Sequence, residues 1–328
     1  MSFPALSDLR ATARVVSLPP VTRFRGIDAR EALLLEGPQG WTEFSPFVEY
    51  DDAEAAAWLT AAIDFGWHPQ PAPVRDAVAV NATVPAVAPA SVPAVLARFD
   101  GCRTAKVKVA ERGQTLADDV ARVRAVRAAM GPEGRIRLDA NGGWNVDEAE
   151  HAVHALAEFD LEYLEQPCAS VPELADLRER IADWDIPIAA DESVRKADDP
   201  DAVARAGAAD LVVVKAQPLG GVGAALEIVG AAGLPAVVSS ALDTSIGLSM
   251  GVALAAALPD LPYDCGLGTA SLLAADVVAA PLQPAGGSLP VGRVEADAGL
   301  LAQHAASAER RDWWLDRLER CHAILAAG

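Results

Sequence analysis

The sequence predicts an α/β protein: a barrel of parallel strands alternating with helices, under an α+β capping unit assembled from the two ends of the chain. Three observations predict it. Apolar runs start near Ala79, Ala105, Ile136, Glu162, Pro187, Leu211, Ala236 and Pro262, at intervals of 24 to 31 residues. Most of the stretches between them carry apolar residues at helical spacing, and strands that alternate with helices pair in parallel. Charged residues also recur where several runs stop, and in a parallel barrel the carboxyl ends of the strands converge on one rim. A chain of 328 residues holds such a barrel, roughly 200 to 250 residues, and about a hundred more.

In chain order, residues 1–77 supply most of the cap. Arg14 to Leu18 and Glu31 to Leu35 read as antiparallel strands, and Asp51 to Phe65 as a helix. Pro69 to Pro73, in the stretch Pro-Gln-Pro-Ala-Pro, is a stiff connector into the barrel, residues 78–285. Within the barrel, helices are expected over Leu116 to Met130, ending at Gly131-Pro132, over Val146 to Phe159, and over Val171 to Trp184 before Pro187. Leu219-Gly-Gly-Val-Gly follows a strand and opens a helix, as a dinucleotide fingerprint does, but its glycines miss that spacing: after Gly221 and Gly223 the third position is Leu226. A tight turn is the better reading, as it is for Gly142-Gly143. Residues 286–328 return to the cap, where Ala308 to Leu325 forms an amphipathic helix whose Trp313, Trp314, Leu318 and Cys321 make a docking face.

A formal net charge of −19 argues against nucleic acid and anionic membranes as partners, and no run of eighteen apolar residues offers a membrane span. The first twenty residues show neither a basic leader nor an apolar signal core, so a cytoplasmic protein acting on a small-molecule carboxylate is expected. The oligomeric state is left open, a monomer included. Cys102, Cys168, Cys265 and Cys321 lie far apart with no C-x-x-C pair, against a thiolate metal site or a disulfide framework. His151 and His154 share a helix with Glu148 and Glu150 and read as a solvated face rather than a metal pair. Without a histidine at a strand end, a Ser-His-Asp hydrolase lacks its base.

The chemistry lies in the strand-end charges. In Thr104-Ala-Lys-Val-Lys-Val109, alternation sends Lys106 and Lys108 to one face and both valines to the other. Both lysines enter the barrel if the valines meet the helices; the alternative is a strand with one solvated side. Lys215 ends Leu-Val-Val-Val-Lys in an apolar run, and burial lowers an ammonium's pKa toward the range in which it exchanges protons at neutral pH. Asp139, Glu165 and Asp191 end the third, fourth and fifth runs. Taken singly, they read as a turn residue, an exposed residue before a proline and, with Glu192, a helix cap. Taken together, three carboxylates on one rim repel unless a hard divalent cation such as Mg²⁺ joins them.

Lys-Val-Lys, Leu-Asp-Ala-Asn, Leu-Glu-Gln-Pro, Ala-Asp-Glu-Ser and Val-Val-Lys, in this order, resemble the enolase superfamily, whose members pair lysine or histidine bases with Mg²⁺. The lysines on both sides resemble its muconate-lactonizing subgroup. The resemblance covers nearly the whole chain and implies a (β/α)₇β TIM-like barrel with an N-terminal cap completed by the C-terminal segment. It implies Mg²⁺, or Mn²⁺ in its place, on Asp139, Glu165 and Asp191, with Asn141 and Glu192 as supporting polar groups. It makes Lys108 the base that removes a proton α to a carboxylate, Lys106 its tuner, and Lys215 the ammonium across the substrate. Phe24-Arg-Gly26, Gly40-Trp-Thr-Glu-Phe44, Val238-Ser-Ser-Ala241 and Cys265-Gly-Leu-Gly268 resemble a dehydratase branch. That branch converts 2-succinyl-6-hydroxy-2,4-cyclohexadiene-1-carboxylate to an aromatic acid in menaquinone synthesis. Substrate contacts then fall to Arg25, the Thr42 to Phe47 loop, Ser239, Ser240 and Gly266. The rival readings are racemization of N-acylamino acids or epimerization of dipeptides, with Lys108 and Lys215 as opposed bases, and a non-catalytic metabolite-binding barrel.

Overall fold

The computed structural model describes residues 4–22, 27–194 and 199–327. The chain opens with helix α1 (Leu6–Thr12) and an antiparallel sheet of β1 (Arg14–Leu18), β2 (Arg30–Gly37) and β3 (Gly40–Phe44), followed by α2 (Asp52–Trp67). The first two strands and the helix stand where the sequence places them. The third strand departs from it: Thr42 to Phe44 pair with Leu35 to Leu33 of β2 and are not a loop. Asp51 caps α2 by accepting from the Glu54 amide at 2.8 Å.

The barrel strands are β5 (Ala82–Val84), β6 (Thr104–Lys108), β7 (Arg135–Asp139), β8 (Leu161–Glu165), β9 (Ile188–Ala190), β10 (Leu211–Val214) and β11 (Ala236–Val238), all parallel and each paired with its neighbours in sequence. Before them, β4 (Ala77–Ala79) pairs antiparallel with β12 (Ser288–Pro290), so the returning chain seals the end of the barrel away from the strand tips. The run expected from Pro262 forms no ladder strand. Cys265 and Gly266 nevertheless close the circle: the Gly266 amide donates to Val238 at 2.8 Å, and the Cys265 amide and carbonyl bond Ala79 and Asn81 at 2.8 and 2.9 Å. Tyr263-Asp-Cys-Gly-Leu-Gly268 offers few β-formers, which suits a contact of two residues rather than a strand.

Helices α3 (Val92–Leu96), α4 (Leu116–Met130), α5 (Val146–Leu156), α6 (Val171–Arg180), α7 (Asp199–Arg205), α8 (Val222–Ala232) and α9 (Ser245–Ala257) alternate with the strands. Three of them start with capping boxes, Thr115 with Asp118, Asn145 with Glu148 and Ser170 with Glu173. The expected ends at Phe159 and Trp184 are reached by 3₁₀ turns rather than continuous α-helix. The main core lies between strands and helices and takes in Val107, Val109, Leu138 and Leu164, the outward-facing residues of their strands. A smaller cluster inside the barrel joins Tyr163, Ala189, Leu211, Val213 and Val237.

After β12, α10 (Ala298–Gln303) leads to α11 (Ala308–Ala327), which packs against α2. Trp314, Leu318 and Cys321 are fully buried in the cap's own core, with Trp314 edge-on to Phe44 and its indole donating to Glu31 at 2.9 Å. This is the docking face that the helical spacing predicts. Among the described residues no helix is long and apolar enough to cross a membrane. His151 is exposed, and His154 packs at a tilt against Trp184 with ring centroids 4.8 Å apart, as a surface pair does.

Candidate active site

Alternation along the parallel strands does the placing. Lys106 and Lys108 lie two apart on β6, so with Val107 outward both enter the barrel, where their side chains are 9% and 11% exposed. Register sets Lys108 beside Asp139 and Asp139 beside Glu165. Asp191 directly follows β9 and Lys215 directly follows β10. The six charged side chains therefore occupy one layer at the strand tips.

Their contacts are close. Lys106 Nζ lies 2.9 Å from both Asp139 Oδ2 and Glu165 Oε1. Lys108 Nζ donates to Asp139 Oδ2 at 2.5 Å and to Asn141 Oδ1 at 2.6 Å. Across the layer, Lys215 pairs with Asp191. Asn141, at φ 47°, sends its amide nitrogen to Glu192 Oε1 at 3.1 Å, joining the β7 and β9 loops. The turn after β9 is held by Gln166, whose Oε1 accepts from the amides of Asp191 at 2.9 Å and Ser193 at 3.2 Å.

The two fully buried carboxylates diverge. Burial opposes ionisation of Asp139, but the Lys106 and Lys108 ammoniums hold it well below the usual carboxylate range. Glu165 is pushed up to about 8 by burial and by the Asp139 charge. The difference follows from partners: Asp139 binds two ammoniums and the Asn141 amide, whereas Glu165 has one bond to Lys106 and its Oε2 has no hydrogen-bond partner. For Lys106 the general expectation for a buried lysine is reversed. Burial alone would lower its pKa, yet Asp139 and Glu165 raise it.

This arrangement bears on a metal in two ways. Among the described residues no three acidic, histidine or cysteine side chains form a ready cage, because the lysine amines occupy the space between the carboxylates. The donor chemistry still fits a hard divalent cation: three carboxylates at adjacent strand ends, one with a buried oxygen that nothing satisfies and a pKa that a nearby positive charge would relieve.

Above the layer lies a cavity between the strand tips and the cap, lined by Phe47, Tyr50, Trp58, Lys108, Lys215 and Leu242. Ser239, Ser240 and Gly266 stand on its wall, where Ser240 Oγ donates to the Gly266 carbonyl at 3.0 Å and meets Thr269 Oγ1 at 2.7 Å. Arg25 lies outside the described residues. Of the Thr42 to Phe47 stretch only Phe47 reaches the cavity; Thr42 and Glu43 are fully buried beneath it.

The rest of the cap wall escapes sequence reasoning. It is Tyr50, just before the Asp51 cap, with Glu54 and Trp58 in the first two turns of α2, four residues apart in sequence. A signal was there: these large side chains stand at helical spacing in an alanine-rich segment, but a face of that kind reads as core until something docks beneath it. Arg317, 1% exposed on α11, fixes this wall by donating to the carbonyls of Phe47 at 3.2 Å and Tyr50 at 2.5 Å.

Comparison with known proteins agrees with this picture. Residues 91–300 match the family described as Enolase C-terminal domain-like, and residues 15–66 match Enolase N-terminal domain-like. The chain is 55% identical over 323 residues to the o-succinylbenzoate synthase of Mycolicibacterium smegmatis, covering 98% of each protein. It is 54% identical to the o-succinylbenzoate synthase of Mycobacterium leprae, covering 98% of this chain and 95% of that one. Among solved structures, muconate lactonizing enzyme from Pseudomonas fluorescens complexed with muconolactone superposes with a TM-score of 0.77 at 20% identity, covering 90% of this chain and 98% of that one. The 2-chloromuconate cycloisomerase of Rhodococcus opacus superposes with a TM-score of 0.76 at 22% identity, with the same coverage. These structural likenesses speak for the fold alone.

Proposed function

The chain belongs to the enolase superfamily, and from that premise we propose that it is an o-succinylbenzoate synthase, a lyase of menaquinone biosynthesis that removes water from 2-succinyl-6-hydroxy-2,4-cyclohexadiene-1-carboxylate to give 2-succinylbenzoate. The observation that carries the reading is the placement of Lys108 and Lys215 in one layer with Asp139, Glu165 and Asp191, inside a chain 55% identical to enzymes of that name.

Lys108, acting in its neutral amine form, takes the proton from the carbon bearing the carboxylate and becomes the ammonium. The electron pair left behind moves toward the carboxylate oxygens, then returns to form the ring double bond as hydroxide leaves the neighbouring carbon. The Lys108 ammonium gives its proton to that hydroxide on the same face, so water departs, the amine is regenerated and the ring becomes aromatic. Lys215, opposite, places a second ammonium where negative charge gathers. Lys106 favours the ionised form of both Asp139 and Glu165, though in Glu165 burial and the Asp139 charge outweigh it, and holds the two carboxyls in place. Asp139, Glu165 and Asp191 would hold Mg²⁺, or Mn²⁺ in its place, with Asn141 and Glu192 steadying the loops beside them. A divalent cation there supplies Lewis-acid charge to the substrate carboxylate, which is already anionic and must accept more. Ser239, Ser240 and Gly266 suit the succinyl carboxylate, with Phe47, Tyr50 and Trp58 against its ring.

A second reading rests on the same pair of lysines. Amines on opposite sides of one cavity also suit racemization of N-acylamino acids or epimerization of dipeptides. Turnover of the cyclohexadiene carboxylate, followed as formation of the aromatic product, is to be compared with turnover of N-succinyl amino acids, followed by polarimetry. The proposal expects fast dehydration; negligible dehydration beside fast racemization overturns it.

A further inference from the structure

Strand β6 carries Lys108 at its tip, beyond the reach of the sheet on one side. The β5–β6 register ends at Val84 opposite Val107, and Pro85, next in the chain, has no N–H to offer. On the other side Val109 donates to the Asp139 carbonyl at 3.0 Å, so the Lys108 carbonyl faces the gap. A buried carbonyl left there would go unsatisfied.

Arg122 of α4 fills that gap. Its side chain is 2% exposed, Nη1 donates to the Lys108 carbonyl at 2.8 Å, and Nε donates to the Val87 carbonyl at 2.9 Å, on the chain continuing from β5. The same Nη1 meets Asp119 Oδ1 at 2.8 Å, one turn earlier on α4, and Nη2 meets Gln114. Asp119 in turn accepts the Ala110 amide on Oδ2 at 3.0 Å. Ala110 stands at φ 58°, a left-handed conformation unfavourable for a residue with a Cβ, which needs such an anchor.

We propose that Arg122 and Asp119 form a positioning pair for Lys108, a side-chain substitute for the ladder that β5 does not extend, fixing the backbone from which the amine is aimed. The proposal rests on the reading of Lys108 as the base. Neither residue touches the cavity, so binding should survive their loss while alignment of the amine suffers. A base displaced by about 1 Å costs up to about 100-fold in rate.

The test is Arg122→Lys, which keeps the charge but cannot bridge both carbonyls, with Asp119→Asn as a milder companion. The expected result for Arg122→Lys is a fall in kcat of about 10- to 100-fold with KM within roughly threefold, and a larger isotope effect on kcat/KM with substrate deuterated at the abstracted position. Asp119→Asn moves the same quantities in the same direction, by less. Unchanged kcat and isotope effect in Arg122→Lys overturns the proposal, and so does a rise in KM alone. If Arg122→Lys does not fold by near-UV circular dichroism, Asp119→Asn decides by the same criteria. Lys108→Ala assayed alongside separates the two ideas. Full activity there sinks the assignment of the base; an inactive Lys108→Ala beside an unaffected positioning pair sinks only the pair.

Discussion

Glu43 is where the cap grips the barrel, and the structure gives the size of that grip. From β3 its Oε2 accepts from the Thr244 amide at 3.1 Å, the Thr244 hydroxyl at 2.5 Å and the Gly247 amide at 3.1 Å, at the start of α9. Its Oε1 accepts from Ser45 Oγ at 2.5 Å. The Thr244 and Ser45 hydroxyls can rotate to other partners, but the two amides cannot. Leaving each of them buried and unsatisfied costs about 1 to 3 kcal/mol, so Glu43→Ala should lose about 2 to 6 kcal/mol.

Charge works against that grip. Burial and the neighbouring Asp243 push Glu43 from 4.5 up to about 7. The folded protein therefore holds this proton more tightly than the unfolded chain, so the contribution to stability is greatest below about pH 4.5 and falls as pH rises to about 7. The loss is about 3 kcal/mol at most, and Glu43→Gln, which cannot ionise, escapes it. Urea denaturation followed by the fluorescence of buried Trp58 and Trp314 measures both effects. Wild type should lose stability relative to Glu43→Gln by about 1 to 3 kcal/mol between pH 5 and pH 7.5. A difference independent of pH, or a cost below about 1 kcal/mol for Glu43→Ala, refutes the reasoning.

Three other perturbations follow from the site and its frame. Lys108→Ala should lower kcat by at least about 1,000-fold while near-UV circular dichroism stays that of the parent, and undiminished dehydration removes Lys108 as the base. Chelation should abolish turnover and added Mg²⁺ restore it; activity persisting in excess chelator speaks against a bound divalent cation as part of the machinery. Gly247→Ala should cost about 1 to 3 kcal/mol in the same denaturation assay, because a Cβ there would stand 2.8 Å from both the Glu43 carboxyl carbon and the Asp243 Cβ; wild-type stability shows that the contact relaxes freely.

The residues at the strand tips were legible because each is a local anomaly. Lys215 closing four apolar residues, or Asp139 closing Ile-Arg-Leu, departs from the apolar character of its own run, and the parallel arrangement then decides where all of them meet. Residues whose role depends on docking were not legible. Tyr50, Glu54 and Trp58 become a cavity wall only because α11 and the cap sheet hold α2 over the rim. Asp119 and Arg122, three apart on a helix, have the spacing of an ordinary surface ion pair, and nothing local says that both are buried against a strand end. The closing segment was legible as a run from Pro262, but not as the two-residue bridge at Cys265 and Gly266, which leaves no periodicity. Lys106 was placed correctly in the barrel, but the carboxylates that reverse the effect of its burial come from β7 and β8, and only the register brings them there.

The same geometry explains why the charges can work together. Three carboxylates and three ammoniums share one layer, each lysine side chain no more than 12% exposed, and formally they balance. Beneath them the barrel is plugged by Tyr163, Ala189, Val213 and Val237, and above them stand the rings of Phe47, Tyr50 and Trp58. Charges held between the cap rings and a packed barrel interior, where buried Arg137 lies over the Tyr163 ring, act through a lower effective dielectric than charges in water, so small displacements of Lys108 or Lys215 carry large energetic weight. The lower boundary is built from strand residues and is rigid. The upper one is carried by the cap, which holds the barrel through Glu43 to α9 and is braced within itself by Arg317 on the Phe47 and Tyr50 carbonyls. Substrate choice should therefore respond to changes at Glu43 and Arg317, neither of which lines the cavity, while proton abstraction should respond to changes at Arg122 and Asp119 beneath the opposite wall.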